Sequence, residues 1–580
     1  MNSSETAPLL PSRPRDKHHS KRWVWWTVAG LAAALVLGSI ILNPFARSEP
    51  PKSDEDAPFN WLNLEPSTDF NWVKCFDEYE CARLEVPLDW AKPKGDKAAI
   101  AVLRLPSKYS ANDTQYRGPI IYNPGGPGGS GNDFVRKIGP FMRDLVGSEY
   151  DHVGFDPRGV GFTTPVLNMF PAETERRVWE AAETVSNNAT GDGLGRAYAR
   201  ARVFSDLAAR RIGETAQYLG TAARTGSEKL KYWGGSYGSI LGASLATMFP
   251  DRIERLVIDS VMETQEYFDT IWLKNVLSSD DALEWLFISC AASSACPLYE
   301  PSAAAVKQRY LRIVDAIHEQ PLAVLADDSP DRYGLVDYSM VRKVIFTSLN
   351  SPYRLFPRLS QALRDMEVGD GRAMYALSGR DDSEWRCKCS SDGALIGSIE
   401  ATRAILCGDG AVVNDTISEL REHMQRVHDL TTFADMMYVR VWCSSWRVRT
   451  VERVQGPYAA NTSHPILIMN NMYDPVTPLD SARAVSANFP GSAVVEVATA
   501  GHGAIITPSL CMARHLRAYF RDGVLPINGT ICAVDKPIFE SSEGTNRRLE
   551  AFKAMSVEDR RLWAATDQLS QTVSLSGMWL

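Results

Sequence analysis

Hydrophobic and polar positions along the chain fall into distinct regimes. From Trp23 to Leu42 apolar residues run without a single charge. Residues 43–70 are rich in Pro, Asp, Glu and Ser, with no apolar period, which predicts a stalk. From about Asn71 short apolar runs alternate with helical patterns. Ala98–Leu105, Gly118–Tyr122 and Tyr150–Phe155 read as strands, and helical periodicity covers Tyr198–Thr225. Leu230–Trp233 reads as a strand stopped at Gly234. It is followed by a helix over Ser239–Met248 closed by Pro250, and by a strand at Leu256–Ile258. Strands alternating with helices predict a mostly parallel sheet with helices on both faces. After Met262 the rhythm changes, and residues 263–455 read mainly as helices and loops. Strand signals return at Pro465–Met469 and Ala493–Val497, and a helix follows over Ser509–Arg521. The predicted organisation is therefore an α/β core over 71–262, a large helical insertion over 263–455, a second part of the core over 456–535 and a helical C-terminal extension over 536–580.

The apolar run near the N-terminus has the length of a membrane span, since twenty residues at about 1.5 Å each cover roughly 30 Å. Lys17, Lys21 and Arg22 precede it, with Arg13 and Arg15 further out. The excess of positive charge places residues 1–22 in the cytosol, 23–42 in the bilayer and the rest beyond it, a single-pass type II arrangement. Trp23, Trp25 and Trp26 suit an interfacial belt. A cleaved signal peptide would have a shorter apolar core, and Asn43-Pro44-Phe45-Ala46-Arg47 is a poor cleavage site. Glu5-Thr6-Ala7-Pro8-Leu9-Leu10 resembles acidic dileucine signals that sort membrane proteins to endosomes and vacuoles, although an ordinary tail accounts for it equally well.

Composition supports a folded chain outside the cytosol. It is 44% hydrophobic and 23% charged, with a formal net charge of -8. No basic stripe marks a nucleic-acid partner. All ten cysteines follow the apolar run: Cys75, Cys81, Cys290, Cys296, Cys387, Cys389, Cys407, Cys443, Cys511 and Cys532. An even number in a disulfide-permitting compartment predicts bridges. Cys75 with Cys81, and Cys290 with Cys296, could close small loops, but spacing leaves the connectivity open. Cys387-x-Cys389 has no histidine cluster beside it, so neither metal nor cofactor is expected. Asn112, Asn188, Asn414, Asn461 and Asn528 each sit in an N-x-Ser/Thr sequon; Asn2 does too, but on the cytosolic side.

The chemistry centres on Gly234-Gly235-Ser236-Tyr237-Gly238. A G-x-S-x-G string between a strand and a helix forms a sharp turn that exposes the serine hydroxyl, and small neighbours are needed because the backbone is crowded there. The string alone is weak, and the flanking strand and helix carry the argument. A base and an acid should follow in the order acid, then histidine. His502 in Gly501-His502-Gly503 lies just after the last strand; His515 falls inside a helix and His464 at the wrong end of a strand. Asp474 follows the strand before it, with Asp480 as runner-up. Ser236 would attack, His502 would move the proton, and Asp474 would hold the imidazole. Asn123-Pro124-Gly125-Gly126-Pro127-Gly128-Gly129-Ser130-Gly131 can supply backbone donors for an oxyanion. No Lys-Ser/Thr follows it, which argues against a nucleotide loop.

Together, the glycine loop, Asp156-Pro157-Arg158-Gly159-Val160-Gly161, the serine motif, Tyr473-Asp474-Pro475-Val476-Thr477-Pro478 and Gly501-His502-Gly503 resemble the α/β-hydrolase serine peptidases related to prolyl aminopeptidase and bacterial tripeptidyl aminopeptidase. Tyr519 to Cys532 looks like that family's C-terminal region, so the resemblance spans roughly residues 70–535. It implies an α/β-hydrolase fold, a triad of Ser236, Asp474 and His502, oxyanion amides from Gly126 and Tyr237, and a lid made by the insertion. It also implies pairing of Cys407 with Cys443 and of Cys511 with Cys532. Two departures stand out: Phe162-Thr163 where the family often has Ser, and Asp259-Ser260 where it often has Asp-Gly. Three functions follow in order: an exopeptidase releasing short units from peptide N-termini, an esterase or amidase acting on small molecules, and a non-catalytic membrane protein on the same fold.

Overall fold

A computed structural model describes residues 59–182, 192–219, 229–325, 333–379 and 398–573. The apolar segment 23–42, the dileucine motif, Asn188, Cys387 and Cys389 lie outside the described residues. Among those described, no helix is long and apolar enough to cross a membrane.

Ten strands form one sheet: β1 (Val73–Lys74), β2 (Glu80–Pro87), β3 (Lys97–Leu105), β4 (Pro119–Asn123), β5 (Asp151–Phe155), β6 (Leu230–Gly235), β7 (Ile253–Asp259), β10 (Leu467–Tyr473), β11 (Ala493–Ala500) and β12 (Thr530–Cys532). Their order is β1-β2-β3-β5-β4-β6-β7-β10-β11-β12. Pairings from β1 to β5 are antiparallel, and from β5 through β4 to β12 every neighbour is parallel. Central parallel strands are covered on both faces, so their residues are buried in unbroken runs, as in Leu467–Asn471 and Leu256–Asp259. The helix Gly131–Leu145 joins β4 to β5 in one direction along the sheet, and Tyr237–Met248 joins β6 to β7 in the other. Right-handed crossovers therefore place these helices on opposite faces. This is an α/β-hydrolase sheet, with every strand expected from the sequence present and most extended by a few residues. β1, β2 and β12 were not anticipated.

Between β7 and β10 the chain leaves the sheet. Helices Thr264–Phe268, Ser279–Ala291, Ala303–Glu319, Tyr338–Leu349, Pro352–Glu367, Arg372–Leu377, Ser398–Asp409, Ile417–His428 and Val439–Cys443 fill the interval. A hairpin of β8 (Leu322–Leu325) and β9 (Tyr333–Val336) interrupts them, so the insertion is not purely helical. The excursion between β5 and β6 packs on it. There the helix starts at Gly193, ahead of the expected Tyr198, and ends at Arg211. Arg176, on the helix Glu173–Ala181, reaches Glu400 on Ser398–Asp409 at 2.5 Å, with both side chains nearly or wholly buried. Removing either partner of such a pair would strand the other charge in the interior.

The bridges Cys75–Cys81, Cys290–Cys296, Cys407–Cys443 and Cys511–Cys532 are all formed. Cys407–Cys443 fastens two helices of the insertion together. The expected stalk ends earlier than residue 70. Trp61 is only 2% exposed and stacks on Phe162 at 5.7 Å, because burying a whole indole outweighs the polar character of its neighbours. In the C-terminal extension, Val557–Thr572 packs on Gly131–Leu145 and Leu510–Asp522, burying Leu562, Ala565 and Leu569.

Two of the strand ends turn into left-handed backbone: Ser236 after β6 (φ 56°) and Ser260 after β7 (φ 54°). The Ser260 hydroxyl is buried and has no hydrogen-bond partner among the described residues. Both facts explain why glycine suits this position. Ser260→Gly should stabilise the fold by about 1 kcal/mol, by relieving the positive φ and removing the orphaned hydroxyl. A rise in thermal midpoint checks this, and an unchanged or lower midpoint would contradict it.

Candidate active site

The site is assembled at the C-terminal ends of the parallel strands. Ser236 lies between β6 and the helix Tyr237–Met248 with φ 56° and ψ -123°, a conformation rarely tolerated outside functional turns. Its side chain projects where the strand stops. Close packing explains the motif's glycines: a Cβ at Gly238 would lie 2.5 Å from the Asn123 carbonyl oxygen. One on Gly125 would lie 2.4 Å from the Gly235 carbonyl oxygen and 2.8 Å from the Ser236 Cβ. The glycine-rich loop therefore rests directly on the serine turn, beside the Tyr237 amide that opens the helix.

Asp474 follows β10 immediately, and His502 follows β11 by two residues. Both are wholly buried, and His502 Nδ1 lies 3.0 Å from each Asp474 carboxylate oxygen. Asp474 is held in turn by the Val476 and Thr477 amides at 3.1 and 2.9 Å. This network assigns the proton to Nδ1 and leaves the Nε2 lone pair available as a base. Nε2 is buried with no hydrogen-bond partner among the described residues, so no bond to the Ser236 hydroxyl is present in this conformation. The other candidates lie elsewhere. His464 bonds the Ile253 carbonyl at the opening of β7, and Asp480 pairs with Arg483 on the helix Leu479–Ala487. His515 is half-buried in the helix Leu510–Asp522 beside the Cys511–Cys532 bridge, whose sulfurs are bonded to each other.

Several residues that shape the site were not singled out from the sequence. Thr477 Oγ1 lies 3.1 Å from His502 Nδ1. The Thr-Pro of Tyr473–Pro478 was visible only as part of a motif. Asn350, at the junction of two insertion helices, accepts the His502 amide at its carbonyl at 2.9 Å. Thr402 donates to the Pro127 carbonyl at 2.8 Å, and Tyr267 lies 5.9 Å from the Tyr237 ring while its hydroxyl donates to Asp409. The insertion thus touches the glycine loop, the oxyanion candidate Tyr237 and the histidine loop. No sequence period signals such contacts between distant segments.

Asp156, wholly buried, gathers the glycine loop's far end: it accepts from the Ser130 hydroxyl at 2.6 Å, the Asn132 amide at 3.3 Å and the Phe162 amide at 2.9 Å. The sequons at Asn112, Asn414, Asn461 and Asn528 are exposed.

Burial pushes the Asp156 carboxyl up to about 6, against the pull of those hydrogen bonds. A carboxyl raised in the folded chain contributes most stability at low pH and loses it as pH climbs through the folded value. Burial drives two histidines the other way, His152 down to about 3 and His423 down to about 4, and their contribution is lost as pH falls. Asp156→Asn removes one of these opposed contributions. Relative to the parent, the variant should therefore gain stability between about pH 4 and 6. Urea midpoints across that range measure it, and a pH-independent difference would refute it.

Comparisons with known proteins agree with this architecture. Residues 431–532 match the family described as TAP-like protein. A tripeptidyl aminopeptidase of Streptomyces lividans is 27% identical over 80% of this chain and 86% of its own. The serine protease Hip1 of Mycobacterium bovis is 26% identical over 89% of this chain and 99% of its own. A protein named carboxylesterase B from Mycobacterium tuberculosis is 26% identical over 78% and 86% respectively. The chain is thus similar over most of its length to α/β-hydrolase serine peptidases of the tripeptidyl aminopeptidase type.

Proposed function

We propose that Ser236, His502 and Asp474 form a catalytic triad that cleaves short units from peptide N-termini through an acyl-enzyme. The observation that carries this is the buried His502, gripped at Nδ1 by Asp474 and left unpartnered at Nε2, set in the strand ends beside the strained Ser236 turn. Nε2 takes the hydroxyl proton as Ser236 Oγ bonds to the substrate carbonyl carbon. The Gly126 and Tyr237 amides receive the oxyanion, and the imidazolium, steadied by Asp474, returns its proton to the leaving amine. Water then attacks the acyl-enzyme by the same relay. Catalytic hydrogen bonds that are long in a resting enzyme commonly tighten with substrate bound, in keeping with the unbonded Nε2.

Ser236 is 1% exposed, which supports reading the insertion as a lid that opens to admit substrate. A lid closing over the site would exclude long polypeptide interiors, in keeping with exo-cleavage. The relative named as a carboxylesterase keeps a second reading in view, in which the same relay hydrolyses small esters or amides. The apolar stretch 23–42 would tether the folded unit beyond a membrane, type II. Formed disulfides and exposed sequons support a compartment outside the cytosol, with glycans at Asn112, Asn414, Asn461 and Asn528.

Ser236→Ala should abolish labelling by a fluorophosphonate probe and lower kcat by on the order of 10⁶-fold. Persistent labelling would exclude Ser236 as nucleophile. Free-amine tripeptide amides should be turned over far faster than N-blocked peptides or aryl esters. Preference for the esters would select the second reading.

A further inference from the structure

Asp259 ends β7 between the serine strand and the acid strand, paired in register with Gly235 of β6 and with Met469 of β10. It touches both halves of the site. Its backbone carbonyl accepts the Ser236 amide at 2.9 Å. Its carboxylate oxygens accept the Ala504 amide at 2.8 Å and the Ile505 amide at 2.9 Å, the second and third residues after His502. One residue therefore holds the base of the nucleophile's turn with its main chain and the histidine's loop with its side chain. It is wholly buried.

Resting on the triad reading above, we propose that Asp259 is a positioning residue that sets His502 over Ser236, with its carboxylate serving as the fixed clamp on the histidine loop. The geometry makes both oxygens necessary. Two amides four and five residues past the end of β11 converge on two lone-pair acceptors, and a group offering only one acceptor would leave a buried amide facing a donor. A displacement of about 1 Å in such a loop is enough to cost on the order of 10²-fold in rate. The titratable groups facing it are His502, on the loop it holds, and Asp474, at the end of β10; its β6 neighbours Gly235 and Ser236 carry no charge. Burial pushes the Asp259 carboxyl up to about 7, against the opposing pull of the Ala504 and Ile505 amides and of His502. When ionised it also adds a buried negative charge near the imidazolium formed during turnover.

Asp259→Asn tests this in the full chain, with a free-amine tripeptide amide as substrate and a fluorophosphonate probe to count active sites. The expected result is a fall in kcat of on the order of 10²-fold per folded molecule, with KM changed little and the acid limb of the rate profile moved to lower pH. A kcat within twofold of the parent and an unmoved acid limb would overturn the proposal. If the variant does not accumulate folded, Ile505→Pro removes one of the two amides while the carboxylate stays. Ile505 follows the first residue of the turn closed by the Thr507 amide on the Ala504 carbonyl, a position that accepts proline. Its kcat should drop about tenfold with KM retained, and full activity would overturn the clamp. Ser236→Ala run alongside separates the two readings: retained probe labelling there defeats the triad itself, whereas a fully active Asp259→Asn with an inert Ser236→Ala defeats only the clamp.

Discussion

A serine held at positive φ between a strand and a helix is the constraint from which the rest of this site follows. That backbone cannot relax without moving β6 against its neighbours, and it leaves no room for side chains around it. Gly238 must clear the Asn123 carbonyl, and Gly125 must clear Ser236 itself. The glycine loop, the serine turn and the histidine loop are then locked together by buried polar groups in place of apolar packing. Asp156 ties the loop's far end to the turn at Phe162, and Asp474 ties the histidine to the turn at Thr477. Each buried carboxylate is answered by backbone amides, the arrangement that lets a polar group persist in a dry interior.

Much of this architecture is legible before any coordinates. Parallel central strands are buried on both faces, so β6, β7, β10 and β11 announce themselves as apolar runs bounded by glycine and proline. Ser236, Asp474 and His502 each lie just past a strand end; chain order leaves His502 and His515 after Asp474, and the helical pattern around His515 leaves His502. Elements at the margins are harder. β2 mixes Glu80, Arg83 and Glu85 with apolar residues because it lies near the sheet's antiparallel edge, where one face meets polar partners. Trp61 hides in a proline-rich, acidic stretch whose composition speaks of a stalk, although one indole is enough to anchor it. Thr402, Asn350 and Asp409 are long-range contacts with no local pattern, so only folding reveals them.

The relatives and the geometry agree on the enzyme class and diverge on its substrate. Two carry names of peptidases and one that of an esterase, at nearly equal identity. That is expected of a fold that hosts many substrates: similarity across the sheet carries the class of chemistry, and the acyl compound is a property of the surrounding site.

The hydrogen bond from the His502 amide to the Asn350 carbonyl has a consequence for modularity. It makes the insertion a structural neighbour of the His502 loop, so the insertion is not detachable from the sheet's loops. Transplanting it from a relative to alter selectivity would disturb the imidazole's support as well. Evolution along this lineage would then be expected to change insertion and histidine turn in concert, and engineers exchanging one would have to redesign the other.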